Sequence, residues 1–187
     1  LTIGSEFRIS MDLASFVERS EGSWRSMRSG HSLAFQQFEE VLSQITIEQL
    51  SASDHRVVEL LESASQDPGL IQSPFRMEWS AESDWEPDDP SGVSSGSCVL
   101  VPIPADHSSG ILLRSVGYAE AEQAISQYCF LSDGTFVLST KYGQSIAEER
   151  IWFVSEHVRC RSSVLRTSEG SGVLQTSFAS EVRRLTL

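Results

Sequence analysis

The sequence predicts a mostly β protein: an antiparallel up-and-down β-barrel of about ten strands with two short helices. Three observations point there. From Pro74 onward nearly every segment is a run of strand-forming residues bounded by Gly, Pro, Asp or Ser. Only two stretches carry apolar residues at clear helical spacing. The strands follow one another with turn signals between them, which favours a meander, and a long meander removes its exposed edges by closing on itself.

The first helix is expected over Asp12 to Arg19, where Leu13, Phe16 and Val17 make one apolar stripe and Gly22 follows as a stop. Trp24 to Phe38 and Glu39 to Leu50 then read as extended, with Val41, Ser43, Ile45 and Ile47 on one face. The second helix is expected to be capped by Ser53, to bury Val57, Leu60, Leu61 and Ala64, and to stop at Asp67-Pro68-Gly69. It reads as a lid or plug packed on a sheet. Further strands are expected at 75–82, 97–103, 110–117, 124–131, 135–142, 147–155, 157–166 and 173–183. Ser132-Asp133-Gly134 is a hairpin turn, because Asp-Gly tolerates positive φ. The segment from Glu82 to Gly96, rich in Asp, Pro, Ser and Gly, reads as a loop. The sum is a barrel of the lipocalin or fatty-acid-binding-protein type.

Composition narrows the function. The chain has 187 residues, with 14 Lys+Arg against 26 Asp+Glu and a net charge of −12. That balance repels nucleic acid and anionic membrane surfaces, and arginines found close together then need a local reason. No apolar run approaches the roughly 18–20 residues of a bilayer span. Cys98, Cys129 and Cys160 are too few and too widely spaced for a zinc site, and fit reduced, half-buried strand cysteines. The four histidines show no metal spacing, and no hydrolase or phosphate-loop pattern occurs. Gly4-Ser5-Glu6-Phe7 resembles a cloning-site remnant, so residues 1–10 are expected to be a leader and 11–187 a single domain.

The chemistry concentrates near the C-terminus. In a strand, Glu149, Ile151 and Phe153 share one face and Glu148, Arg150 and Trp152 the other. The next strand places Arg159, Arg161 and Ser163 together, and a hairpin sets Glu149 beside Arg159 or Arg161. Facing outward, these are ordinary surface ion pairs; facing inward, they make an amphiphilic lumen in which guanidiniums grip ligand carboxylates. Alternation leaves the choice open, since both faces mix apolar and charged residues. Trp24, Ser26 and Arg28 share a face on the first strand. Phe75, Met77 and Trp79 are co-facial and run toward Trp85, as core or as an apolar barrel mouth. A catalyst, a carrier of a hydrophobic acid and an unrelated enzyme using Glu148 or Glu149 all fit this much.

The ordered motifs resemble one family. Gly22-Ser23-Trp24-Arg25-Ser26-Met27-Arg28, His31-Ser32-Leu33-Ala34-Phe35, Met77-Glu78-Trp79, Leu112-Leu113-Arg114, Ala147-Glu148-Glu149-Arg150-Ile151-Trp152-Phe153, Val158-Arg159-Cys160-Arg161-Ser162-Ser163 and Phe178-Ala179-Ser180-Glu181-Val182-Arg183 occur in that order. Over about 11–184 the chain resembles the S/U-type (CpcS/CpeS-like) phycobiliprotein chromophore lyases. His31-Ser32 departs from the pair of histidines that relatives often carry there.

The resemblance implies a lipocalin-like barrel that binds a phycobilin, expected to be phycoerythrobilin, as substrate and without a resident cofactor. It implies thioether attachment to a cysteine of an apo-phycobiliprotein subunit of phycoerythrin or phycocyanin type. Glu149 and Arg159 are the implied catalytic residues; Arg28, Arg161, Arg150, Trp24, Met77, Trp79, Trp85 and Trp152 are the implied ligand contacts. No metal is expected, and a homodimer is admitted. The implied location is the cytoplasm of a cyanobacterium or phage host, or an algal plastid stroma. The alternative is a non-catalytic carrier of a bilin or other hydrophobic acid.

Overall fold

The computed structural model describes residues 11–33, 35–82, 95–115, 124–169 and 172–185. A helix, α1 (Leu13–Ser20), precedes strands β1 (Gly22–Ser32) and β2 (Gln37–Gln49). Helix α2 (His55–Ser63) follows, and then β3 (Phe75–Glu82), β4 (Ser95–Pro104), β5 (Ser109–Arg114), β6 (Ala124–Phe130), β7 (Phe136–Tyr142), β8 (Ser145–Ser155), β9 (Val158–Thr167) and β10 (Val173–Arg183). Every strand pairs antiparallel with its sequence neighbours, and β10 returns to β1, so the meander closes into the expected barrel. Among the described residues no edge strand is left to pair with another chain.

The two helices do different work. Asp12 caps α1 by accepting from Ser15 N at 2.9 Å, and the stripe Leu13, Phe16 and Val17 is buried. That stripe packs against inward side chains of the barrel, with the Phe16 and Phe136 rings stacked at 4.2 Å and Phe130 and Phe153 edge-on to Phe16. Helix α1 is therefore the plug that closes one end of the barrel. Helix α2 is neither lid nor plug. Its Val57, Leu60 and Leu61 cover Val99, Val101, Ile103 and Leu113 on the outer face of β4 and β5. This explains why 98–103 reads as a continuous buried run: β4 has the barrel core on one side and a helix on the other.

The cap of α2 also differs from expectation. It is Asp54, not Ser53: its carboxylate accepts from Arg56 N at 3.0 Å and holds the Arg56 guanidinium at 2.8 Å, while Ser53 pairs with Ser51. A carboxylate adds charge–dipole attraction that a hydroxyl lacks. The helix stops before Asp67-Pro68-Gly69, at Ala64 and at Ser65 with φ +53, and Pro68–Leu70 forms a separate 3-10 turn. The β6–β7 hairpin turns as expected, with Gly134 at φ +84 and Asp133 accepting from Thr135 N. None of the three cysteines is in a disulfide; Cys98 is buried and the others are half-buried. The predicted 82–96 loop and the Gly170-Ser171-Gly172 turn fall largely outside the described residues.

Candidate functional site

Register decides which side chains enter the lumen. Across the closed sheet, Trp24, Ile45, Trp79 and Gly96 lie opposite one another, as do Leu138, Glu149, Ser163 and Ser177. Trp24, Ile45, Ile47, Phe75, Leu100, Phe136 and Ile151 form one buried cluster with α1, so this set faces inward. The inward positions are graded. At the α1 end they are aromatic or branched and fill the barrel. Farther from α1 they include Ser43, Ser163, Ser177 and the half-buried Val41 and Leu165. Side chains this small leave room, and their partial exposure on an inward face means that solvent reaches them.

Besides Arg183, which stacks on Trp24 at the closed end, four arginines among the described residues lie on this inner surface: Arg28 of β1, Arg114 of β5, and Arg159 and Arg161 of β9. Each is engaged by a carboxylate. Arg28 Nη2 donates to Glu39 Oε1 at 2.8 Å, with its side chain 30 % exposed. Arg159 donates through Nε to Glu181 Oε2, both side chains 1 % exposed, and Arg161 Nη2 lies 3.6 Å from Glu181 Oε1. Arg114 Nη1 lies 3.5 Å from Glu149 Oε2, and both are buried. Arg114 Nε and Arg159 Nη2 are buried with no hydrogen-bond partner.

The electrostatics follow from burial and pairing. Burial, only partly offset by Glu181, brings the Arg159 pKa down to about 10, so it keeps its charge at neutral pH. Burial alone would raise the Glu181 carboxyl; Arg161 and Arg159 outweigh it and hold the carboxyl below its ordinary value. Burial likewise works against the Arg114 charge, but Glu149, with Cys98 and Tyr142, reverses the balance and the net shift is upward. Four arginines against three carboxylates (Glu39, Glu149 and Glu181) leave this wall cationic, inside a chain whose net charge is −12. Such a surface suits an elongated apolar ligand that carries acid groups.

Of the expected site residues, Arg28, Glu149, Arg159, Arg161, Met77 and Trp79 share the inner face. Trp24 also points inward but lies under the site. It is fully buried, donates Nε1–H to Ser20 O at 2.8 Å, and has the Arg159 and Arg183 guanidiniums over its ring at 4.6 and 4.3 Å. It supports Arg159 from below instead of facing the lumen. Arg150 and Trp152 are not brought to the site. Alternation in β8 sends them outward, where Arg150 pairs with Glu148 at 2.9 Å and Trp152 packs near Phe178. Trp85 lies outside the described residues.

The expected Glu149–Arg159 or Glu149–Arg161 pair is also corrected. The β8–β9 register sets Glu149 opposite Ser163, Ile151 opposite Arg161 and Phe153 opposite Arg159. Glu149 finds Arg114 instead. Arg114 and Glu181 were visible in the sequence only as members of longer motifs. The available signal was that Arg114 alternates in phase with Leu112; nothing local marked Glu181, which meets Arg159 only through the β9–β10 register.

Comparison with known proteins agrees with this geometry. The model of the CpeS-like protein family matches residues 12–184. The chromophore lyase CpcS/CpeS 3 of Trichodesmium erythraeum is 51 % identical over 175 residues, covering 92 % of this chain and 99 % of that protein. A Microchaete diplosiphon protein with the provisional name phycoerythrobilin lyase CpeS is 44 % identical, covering 87 % of this chain and 73 % of its own length. The solved structure of the S-type phycobiliprotein lyase CPES from Guillardia theta superposes with a TM-score of 0.80 at 41 % identity, covering 95 % of each chain. A barrel with an inward arginine–carboxylate wall and this similarity along nearly its whole length belongs to the CpeS-like family of phycobiliprotein chromophore lyases.

Proposed function

We propose that this bilin lyase takes phycoerythrobilin and joins it by a thioether bond to a cysteine of an apo-phycobiliprotein subunit. The observation that carries the reading is the cationic inner wall of Arg28, Arg114, Arg159 and Arg161 beside the apolar Met77 and Trp79, in an otherwise acidic chain. A phycobilin matches it in kind: a long conjugated apolar body with two propionates. The choice of phycoerythrobilin is supported by the name of the Microchaete relative.

The reaction adds a thiol across the ring A ethylidene double bond. Sulfur bonds to the outer ethylidene carbon, the double bond is lost, and a proton ends on the neighbouring ring carbon; nothing is oxidised or reduced. The thiol belongs to the acceptor. Arg28 and Arg161, half-exposed on the inner face, hold propionate or lactam oxygens, and Arg159 fixes Glu181 and through it Arg161. Glu149 hydrogen-bonds the pyrrole nitrogens, or protonates the bilin as the thiolate adds, which favours the electrophile. Holding one extended geometry restricts attachment to a single isomer.

The test is the absorption spectrum of the purified chain with phycoerythrobilin, before and after addition of an apo-subunit. A spectral shift on mixing, followed by a colour that stays with the subunit through denaturation, is the expected result. Binding without any covalent adduct would reduce the chain to a carrier.

A further inference from the structure

The Arg114–Glu149 pair differs from the other ion pairs of the lumen. Arg114 starts on β5 and Glu149 on β8, with β6 and β7 between them. Paired strands are about 4.8 Å apart, so contact between side chains three strands apart must cut across the interior rather than follow the wall. Under this bar Ser126 and Thr140, on the two strands that it spans, hydrogen-bond each other at 2.6 Å and are buried. The bar is also loosely made. Its 3.5 Å separation exceeds the usual 2.7–2.9 Å of a charge-assisted hydrogen bond. Arg114 Nε is buried without a hydrogen-bond partner, and beyond Glu149 the guanidinium has the weak acceptor Cys98 beside it.

A guanidinium has five donors in a planar fork and is matched by a carboxylate that accepts two of them. Buried and under-satisfied, it is costly until such an acceptor arrives. Of the other inner arginines, Arg28 holds Glu39 at 2.8 Å and Arg159 holds Glu181; Arg161, 3.6 Å from Glu181, reaches a carboxylate on the adjacent strand, not one across the interior. Arg159 Nη2 is also unpartnered, but it lies at the closed end beside Trp24 and is 1 % exposed.

We infer that Arg114 is a second carboxylate-binding station, which takes one propionate of the linear tetrapyrrole and in doing so releases Glu149 to the pyrrole nitrogens. The inference rests on the bilin-binding reading above and assigns a ligand contact on the wall away from Arg28 and Arg161. It makes ligand entry an exchange of carboxylates: the propionate replaces Glu149 on Arg114, and the released Glu149 carboxylate accepts hydrogen bonds from pyrrole N–H groups in place of its guanidinium. No bond is made or broken and no proton is consumed.

The experiment is an absorption titration of the chain with phycoerythrobilin as free acid and as its dimethyl ester. The ester keeps the apolar body and removes the carboxylates. The expected result is that Arg114→Gln weakens the free acid by about ten-fold or more while the ester changes by less than about two-fold. Because Arg114→Gln leaves Glu149 buried without its partner, Arg114→Gln/Glu149→Gln is titrated alongside; with both charges gone it folds without a lone buried ion and shows the same selective loss for the free acid. Arg114→Lys restores part of it. Equal weakening of acid and ester, or unchanged free-acid affinity in both variants, overturns the assignment. A wild-type chain that binds neither ligand overturns the bilin reading itself, and this outcome is distinguished by the wild-type titration alone.

Discussion

Replacing Glu181 by glutamine removes the carboxylate shared by Arg159 and Arg161. Both Glu181 and Arg159 are 1 % exposed, so solvent does not screen the loss. Breaking a buried pair from one side costs about 3–5 kcal/mol, because the remaining charge stays buried without compensation. Arg159 makes the situation worse: Trp24 and Arg183 lie beneath it and one of its nitrogens already lacks a partner. For a chain of this length each kcal/mol lowers Tm by about 2–4 °C, so a fall of roughly 6–20 °C is expected. With a urea slope of about 2 kcal/mol/M, the unfolding midpoint should move down by about 1.5–2.5 M. The same experiment has a pH arm. Glu181 is held below its ordinary value of 4.5, so its stabilising contribution is complete above that pH and is lost as the pH falls through the lower folded value. Wild type should therefore lose stability in acid faster than Glu181→Gln, and the two curves should converge. The double variant Arg159→Met/Glu181→Leu, which leaves no unpaired charge from this pair, should lose less than the single one. A Glu181→Gln midpoint within about 0.3 M of wild type would refute the reasoning, since a buried triad that costs nothing to break is not holding its arginines.

Three further substitutions separate the inner wall from the outer one. Glu149→Gln should leave phycoerythrobilin binding nearly intact and slow transfer to the apo-subunit by about a hundred-fold or more, as expected for lost proton transfer; equal loss in titration and transfer assays would remove that role. Arg161→Ala should weaken bilin binding, and an unchanged absorption titration would take Arg161 out of the site. Arg150→Ala, on the outer face and paired with the neighbouring half-buried Glu148, should leave the titration unchanged; a large drop would mean that the β8 register is wrong.

The fold was legible because its signals are local. Alternation, the Asp-Gly turn and the stripe Leu13, Phe16, Val17 each need only a few consecutive residues, and closure follows from having many short strands and no place to hide an edge. Direction was harder. In β8 both faces mix charge with apolar surface, so Glu149 and Arg150 look equivalent until the neighbouring strands fix which one meets Leu138 and Ser163. Partners were harder still. The hairpin suggested Glu149 with Arg159 or Arg161 because they are close in sequence. The structure pairs Glu149 with Arg114, 35 residues away, and Arg159 with Glu181, 22 residues away. The first contact depends on the curvature that brings β5 and β8 across the interior and the second on the β9–β10 register, and no short window of sequence contains either. The cap of α2 failed for the opposite reason: Ser53 and Asp54 are adjacent candidates, and the decision lies in charge rather than pattern.

The grading of the inward positions ties the two halves of the barrel together. Large side chains at the α1 end exclude water from Trp24, and Trp24 in turn gives Arg159 an aromatic face at 4.6 Å. An arginine this deeply buried would otherwise be a liability; stacking and the Glu181 pair together hold it charged and fixed. Arg159 then anchors Glu181, and Glu181 reaches Arg161, whose side chain is 20 % exposed. The filled half of the barrel is thus a mount for the open half. It follows that repacking the floor, for example at Phe136 or Phe16, should perturb ligand binding through this chain of contacts, since Phe136 stacks on Phe16, Phe16 meets Phe153 and Phe153 meets Trp24. A pocket carved into a uniformly hollow barrel would have no such rigid support.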